Sequence, residues 1–417
     1  MIRTAILCFL LSASFNASAD AGSVNPVIQW NRNLLAIVRT PGAQPATIHP
    51  TRSFAMMHAA IYDAVNAIEQ TYKPYLARIS GVPAGAAEPA AAISAAHDVL
   101  IALYPKFQPG LDSELRQSLQ QLPDGPSKNQ GIMVGQLAAD QILAFRSNDG
   151  SGAQPPPYVF GSLPGDYQST PPNLATPQFT HWSKVTPFLL QHASQFRPGP
   201  PPALATTAYA AAFNEVKSLG RARSTNATTD QAIAGRFWNG PIQNYWNEIA
   251  QTAALEKHLT TAQSARLFAL LNLTFADGVI AFYEAKYTYN FWRPVTAIRA
   301  AGADDNPATA SDAEWLPETL KTAADPSYPG AHAVIAAAGA TILSSFFGSD
   351  RFSFRVTSEV LAGFQRSFSS FSAASQEASS SRIFAGQHFG TDLIAGQQLG
   401  RDVARFAFAN FLTASGR

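Results

Sequence analysis

The chain contains a single cysteine, Cys8, and no excess of either charge: 29 Lys plus Arg stand against 28 Asp plus Glu, a net charge of +1. A near-neutral chain has no polycationic surface with which to release counterions from a phosphate backbone, which argues against a general nucleic-acid binder. Charged residues make up only 14% of the chain, below the roughly 25% usual for soluble domains, while 46% are hydrophobic, so it is not a disordered protein. Its 417 residues can bury a large core and form more than one domain-sized unit.

Cys8 lies in a stretch with the order of a signal peptide: a charged start at Arg3, an apolar run from Ala5 to Leu11, and the small-x-small exit Ala17-Ser18-Ala19. Cleavage is expected after Ala19, giving an exported protein, periplasmic or extracellular. The mature chain would then hold no thiol, and so no disulfide, thiolate metal site or cysteine nucleophile. Beyond this segment no stretch is expected to span a bilayer, since Leu267 to Ala285 is interrupted by Asp277 and Ala331 to Phe347 is diluted with Ala and Gly.

Apolar spacing predicts an all-α protein. Phe54, Met57, Ile61, Val65 and Ile68 recur at steps of three and four, and Ala91 to Tyr104 repeats the pattern around His97. Near the other end Phe389, Leu393, Gly396, Gly400, Val403, Ala407 and Phe411 form one stripe, whose glycines would admit a neighbouring helix closely. Strand alternation is not evident. Ser367 to Ser381, with eight serines in fifteen residues, reads as a helix with a polar face because Phe368, Phe371, Ala374 and Ala378 keep helical spacing. Irregular stretches are expected at Arg146 to Pro177, Arg197 to Pro202 and Ala301 to Pro329. The organisation expected is a signal peptide over 1–19, a helical half over 20–215 and a second helical half over 216–417. Apart from similar Ala- and His-containing helices, no fixed-period repeat is visible.

Three segments carry candidate chemistry. In Phe282 to Pro294, Lys286 and Arg293 lie seven residues apart, two helical turns, and would share a face. In Asp325 to His332, Pro329 and Gly330 set a turn that would place His332 in the first turn of a helix, where free N–H groups and the positive dipole end favour an anion. In Ser381 to Asp392, Arg382 precedes His388, and Asp392 follows that histidine at i+4, positioned to fix its tautomer. Taken singly, each has a structural alternative: cations lying over aromatic rings, a helix-start histidine, a surface His–Asp pair. Together they amount to three cations, one oriented histidine and one histidine free to exchange protons, a set that suits a tetrahedral oxyanion. His49, His58, His97, His181, His192 and His258 stand in no such company and read as structural.

The order Lys-x6-Arg-Pro, Tyr-Pro-x-x-His and Ser-Arg-x5-His-x3-Asp resembles the vanadium-dependent haloperoxidases and their relatives in the type 2 phosphatidic acid phosphatase superfamily, most strongly from Leu267 to Gly400. The resemblance implies two four-helix bundles and vanadate as cofactor. It makes Lys286, Arg293 and Arg382 the oxyanion clamp, with the backbone at Gly330 and Ala331 beside it. His388 would be the residue bonded to vanadium, Asp392 its orienting partner and His332 the acid–base group. Hydrogen peroxide and halide would be the substrates; the halide is not set by the resemblance, and bromide or iodide is expected before chloride because their lower oxidation potentials demand less of a site that lacks the usual serine. The same clamp in the wider superfamily holds a phosphate ester, with His388 as nucleophile forming a phosphohistidine, so hydrolysis is the alternative activity.

Two positions depart from the family pattern. Gly330-Ala331-His332 stands where the family usually has Ser-Gly-His, which removes a hydroxyl that would hydrogen-bond an oxyanion oxygen. Asp325 stands seven residues before His332, where a Phe or His commonly lies near the halide. A carboxylate facing halide there would make activity rise as pH falls through its titration.

Overall fold

The computed structural model describes residues 25–77, 79–83 and 85–416; the expected signal segment lies outside them. Among the described residues, helices dominate: α1 (Pro26–Arg39), α2 (Thr51–Glu69), α3 (Glu88–Leu103), α4 (Gln108–Gln120) and α5 (Pro126–Phe145) precede a long irregular stretch. After it come α6 (Thr207–Leu219), α7 (Thr229–Phe237), α8 (Ile242–Glu256), α9 (Thr261–Tyr289), α10 (Pro294–Arg299) and α11 (Ala331–Phe347). A β-hairpin, β1 (Arg351–Thr357) and β2 (Gln365–Ser370), leads into α12 (Phe371–Phe384) and α13 (Gly390–Asn410). The fold is all-α apart from this hairpin.

The hairpin corrects the helical reading of Ser367 to Ser381. In β1 the residues Phe352, Phe354 and Val356 alternate inward with exposed neighbours, and Phe368 of β2 pairs across to Phe354. Phe368 therefore follows the period of two, and only from Phe371 does the period of a helix take over. Ser370 marks the change, its hydroxyl accepting from the amide of Ala373 at 3.1 Å as the N-cap of α12.

Helix α9 is the axis of the molecule. It packs along α2 on one side and along α11 on another, and one hydrophobic core extends from Val27 of α1 to Leu412 beyond α13. By length and composition α9 could cross a membrane, yet 94% of its apolar window is buried inside the protein. Asp277 within it is buried and accepts from three successive amides, Phe188 at 2.6 Å, Leu189 at 2.7 Å and Leu190 at 2.7 Å. Those bonds pin an otherwise irregular segment to the core helix.

The same device recurs in α2, where Asp63 accepts from the amides of Tyr75 (2.7 Å), Leu76 (2.9 Å) and Ala77 (2.7 Å). Phe54-Ala55-Met56-Met57-His58 precedes Asp63 as Phe268-Ala269-Leu270-Leu271-Asn272 precedes Asp277, so α2 and α9 are two copies of one pattern. They lie face to face, with the His58 ring stacked 5.2 Å from Phe268. A buried amide network joins the helices around them: the Asn31 side-chain amide donates to Asn247 at 2.8 Å, and Asn247 to Asn272 at 3.0 Å.

The second bundle brings α11 and α13 unusually close. A side chain at Gly396 would meet the carbonyl oxygen of Gly330 at 2.5 Å, and one at Gly400 that of Val334 at 2.1 Å, so only glycine permits this approach. The closeness matters because the N-terminal ends of both helices carry the candidate site.

Candidate functional site

Lys286 and Arg293 do converge, but not on one helical face. Asn290 adopts the left-handed conformation (φ 49°, ψ 36°) and ends α9, and Arg293 is extended (φ −84°, ψ 154°) as the residue before Pro294. A residue preceding proline is driven out of the helical region, so the two-turn reading fails at a position the sequence marks. The chain turns instead, and Arg293 enters the site as the N-cap of α10.

Lys286 is fully buried and donates to the carbonyl oxygens of Pro326 and Ser327 as well as to Asp325 Oδ1, the last at 2.9 Å. Burial pulls its ammonium down to about 8, against the attraction of Asp325. Arg293 donates through Nε to the Asp325 carbonyl (2.8 Å), through Nη2 to Asp325 Oδ1 (2.5 Å) and through Nη1 to Gln387 O (3.0 Å) and His388 Nε2 (3.1 Å). Arg382, from the last turn of α12, is also buried, and its Nη2 donates to Asn239 Oδ1 at 3.1 Å. Its Nε and Nη1 have no partner among the described residues. A buried guanidinium with unmet donors is costly unless an acceptor occupies the space it faces.

His388 sits just ahead of α13. Its Nδ1 lies 3.2 Å from Asp392 Oδ2, a carboxylate that also accepts from Ser327 Oγ at 2.5 Å and from the amide of Phe389 at 3.1 Å. Because Nδ1 faces carboxylate and Nε2 faces the Arg293 N–H, the ring is neutral, with its proton on Nδ1 and a lone pair on Nε2. Burial first, then Arg293, Lys286 and Arg382, hold its pKa well below the usual histidine value. Burial also raises Asp392 to about 6, although Ser327 and the cations oppose the shift.

His332 lies in the first turn of α11. Its Nε2 donates to the carbonyls of Trp238 (3.0 Å) and Gly240 (3.2 Å), so its proton is on Nε2 and Nδ1 is left as the ring's acceptor. Burial, reinforced by Arg382, keeps it neutral well below the usual pKa. The amide of Gly330 is committed to the carbonyl of Asp392 at 2.9 Å, joining α11 to α13. Gly330 therefore has no amide left for a ligand, whereas Ala331 and His332 head the helix, where N–H groups have no intrahelical acceptor.

Asp325 does not stand as a free carboxylate toward solvent or halide. It is buried between Lys286 and Arg293. Burial alone would raise its pKa, but the two cations outweigh that and hold it below the ordinary value. It thus stays ionised through the range in which the sequence led us to expect titration, and an acid-side rise in activity cannot come from it.

Residues 266–414 match a family described as the VCPO second helical-bundle domain. The vanadium chloroperoxidase of Curvularia inaequalis is 25% identical over 401 residues, an alignment covering 76% of this chain and 64% of that protein. The chain thus spans a little under two thirds of that relative's length. A bacterial vanadium-dependent iodoperoxidase of known structure superposes with a TM-score of 0.77 at 26% identity, covering 95% of this chain and 97% of that one. The chain thus shares its fold with a vanadium-dependent iodoperoxidase and, over residues 266–414, matches the second helical-bundle domain of that family. A holo-type bacterial vanadium-dependent chloroperoxidase shares the fold, with a TM-score of 0.71 at 17% identity over 94% of this chain and 98% of that one.

The site has surroundings that sequence reasoning missed. His49, read as structural, packs against Phe179 (5.4 Å between centroids), Trp182 (6.2 Å) and Tyr283 (6.4 Å), an aromatic wall near Asp325. Burial lowers His49 to about 3, with the Asp325 charge pulling the other way, so the ring is neutral. Asn239, Trp238 and Gly240 hold Arg382 and His332 from a turn with no motif of its own. Ser327 was within a marked segment, but its bond to Asp392 needed the fold to bring α13 beside it.

Proposed function

We propose that this chain is a vanadate-dependent haloperoxidase that oxidises halide with hydrogen peroxide to hypohalous acid, iodide or bromide in preference to chloride. The observation that carries the reading is the donor set: a neutral histidine with its Nε2 lone pair fixed, beside a buried guanidinium with unmet N–H groups. These residues fit vanadate. His388 would hold it through Nε2, and Lys286, Arg293 and Arg382 would neutralise its oxygens. When bound, vanadate supplies a Lewis-acidic centre that activates hydrogen peroxide toward halide.

The chain's own residues do the rest. Asp392 and Ser327 keep the proton of His388 on Nδ1, so Nε2 presents its lone pair, which would bind a ligand once Arg293 Nη1 turns from it to that ligand. The Trp238 and Gly240 carbonyls hold the proton of His332 on Nε2, so Nδ1 can take a proton from peroxide and return it to a leaving oxygen. The iodoperoxidase neighbour supports iodide as a substrate, and the lower oxidation potentials of iodide and bromide favour them over chloride. We further propose that the protein is exported, on the N-terminal pattern ending at Ala19.

Halogenation by the purified protein with and without vanadate, measured alongside phosphate-ester hydrolysis, tests the reading. Vanadate-dependent oxidation of iodide or bromide is expected. Hydrolysis without halogenation would replace it with the phosphatase alternative.

A further inference from the structure

Asp325 is not accounted for by the proposed mechanism. An ionised carboxylate inside an anion site opposes the purpose of the three cations unless it adjusts their strength. One oxygen, Oδ1, engages both Lys286 (2.9 Å) and Arg293 (2.5 Å), and Arg293 holds the backbone carbonyl of the same residue at 2.8 Å. With two carbonyls also accepting from Lys286, all three of that ammonium's donors are used within the protein. Of the three cations, Arg382 has buried donors with no partner among the described residues.

We propose that Asp325 is a built-in counter-anion that weakens this pocket's hold on doubly charged tetrahedral oxyanions more than on singly charged ones. This rests on the reading of the site as an oxyanion clamp. With Asp325 in place the three cations carry two net positive charges rather than three. An incoming anion must share Lys286 and Arg293 with a carboxylate, and each unit of its own charge is repelled by that carboxylate. The second carboxylate nearby, Asp392, lies on the far side of the His388 ring contact and is committed to Ser327 and the Phe389 amide. The aromatic wall of His49, Phe179, Trp182 and Tyr283 offers no compensating cation, since burial keeps His49 neutral. In a site shielded from water, charges a few ångströms apart change an equilibrium by about tenfold or more per unit charge. A phosphate-like dianion therefore loses more affinity to Asp325 than a monoanion such as dihydrogen vanadate does.

The test uses tetrahedral anions of fixed charge, perrhenate (singly charged) and molybdate (doubly charged), titrated by calorimetry into the wild-type protein and Asp325→Asn. Molybdate affinity is expected to rise in the variant about tenfold more than perrhenate affinity. Equal gains, or none, would overturn the proposal and leave the clamp itself intact. Failure of either anion and of vanadate to bind wild-type protein or variant would instead remove the oxyanion reading and the proposal with it. Asp325→Asn leaves two buried cations short of a partner, so Asp325→Ser serves as a second variant, with thermal unfolding recorded alone and with each anion. If both variants fold only weakly, molybdate should restore stability more than perrhenate does; restoration by neither, or equally by both, counts against the proposal.

Discussion

Replacing Gly330 by serine restores the hydroxyl present in the family pattern, and the structure fixes what this costs. The backbone there is ordinary (φ −73°, ψ 111°), so neither serine nor alanine is strained by conformation. The obstacle is packing: a Cβ at this position would lie 2.9 Å from Leu393 Cδ2 and 3.4 Å from the carbonyl oxygen of Asp392. The Leu393 methyl group can move, the Asp392 backbone cannot without disturbing the bond to Gly330 that helps place His388. Overpacking of this kind costs about 1 to 2 kcal/mol. Gly330 is also the N-cap of α11, where serine is preferred to glycine by only a few tenths of a kcal/mol. A new hydrogen bond to a bound oxygen contributes at most about 1.4 kcal/mol, a factor of ten in affinity. Gly330→Ala should therefore lose about 1 to 2 kcal/mol in denaturant unfolding, and Gly330→Ser slightly less. Vanadate affinity should be weaker than wild type in the alanine variant and partly recovered in the serine one. Adding Leu393→Ala to Gly330→Ser makes room for the new side chain and should reveal the full gain. Unchanged stability in both single variants would show that Leu393 does not limit this position. Equal vanadate affinity in the serine and alanine variants would show that the hydroxyl reaches no ligand.

Other outcomes follow from the same geometry. Equilibrium dialysis should find one vanadate per chain, and His388→Ala should lose tight binding; unchanged affinity would remove His388 from the coordination. His97 is held by Asp98 at 2.7 Å and Asp112 at 2.8 Å, and although burial opposes it, these carboxylates raise its pKa above the ordinary value. A raised folded pKa stabilises fully below the unfolded value near 6.5 and is lost as pH rises through the higher folded value. Unfolding midpoints should therefore fall over that window in wild type and stay level in His97→Gln, and parallel curves would refute the assignment. Mass spectrometry of exported protein should find an N-terminus near Asp20, and an intact Met1 would contradict processing.

What could be read from the sequence was set by how local each feature is. The segments around Lys286, His332 and His388 were legible because each is short and continuous, and the i+4 spacing of Asp392 from His388 needs no tertiary information. The Arg293 position was misread although Pro294 and Asn290 both mark a helix end, because even spacing of cations was given more weight than the residues that break a helix. Phe368 was misread for a related reason: a short strand and a helix both accept phenylalanines three apart, and only the pairing with Phe354 distinguishes them. The similarity of α2 to α9 was not read from the sequence, because a pattern present twice, far apart, gives no period to detect. Asp325 is different in kind. Its sequence position suggested a carboxylate facing halide, and nothing local could show that Lys286 and Arg293 would close upon it. Whether a charge in a pocket acts on the substrate or on the pocket depends on which partner lies nearer. Here the distances of 2.5 and 2.9 Å place the two clamp cations first, and the role of Asp325 is to set the charge the clamp presents.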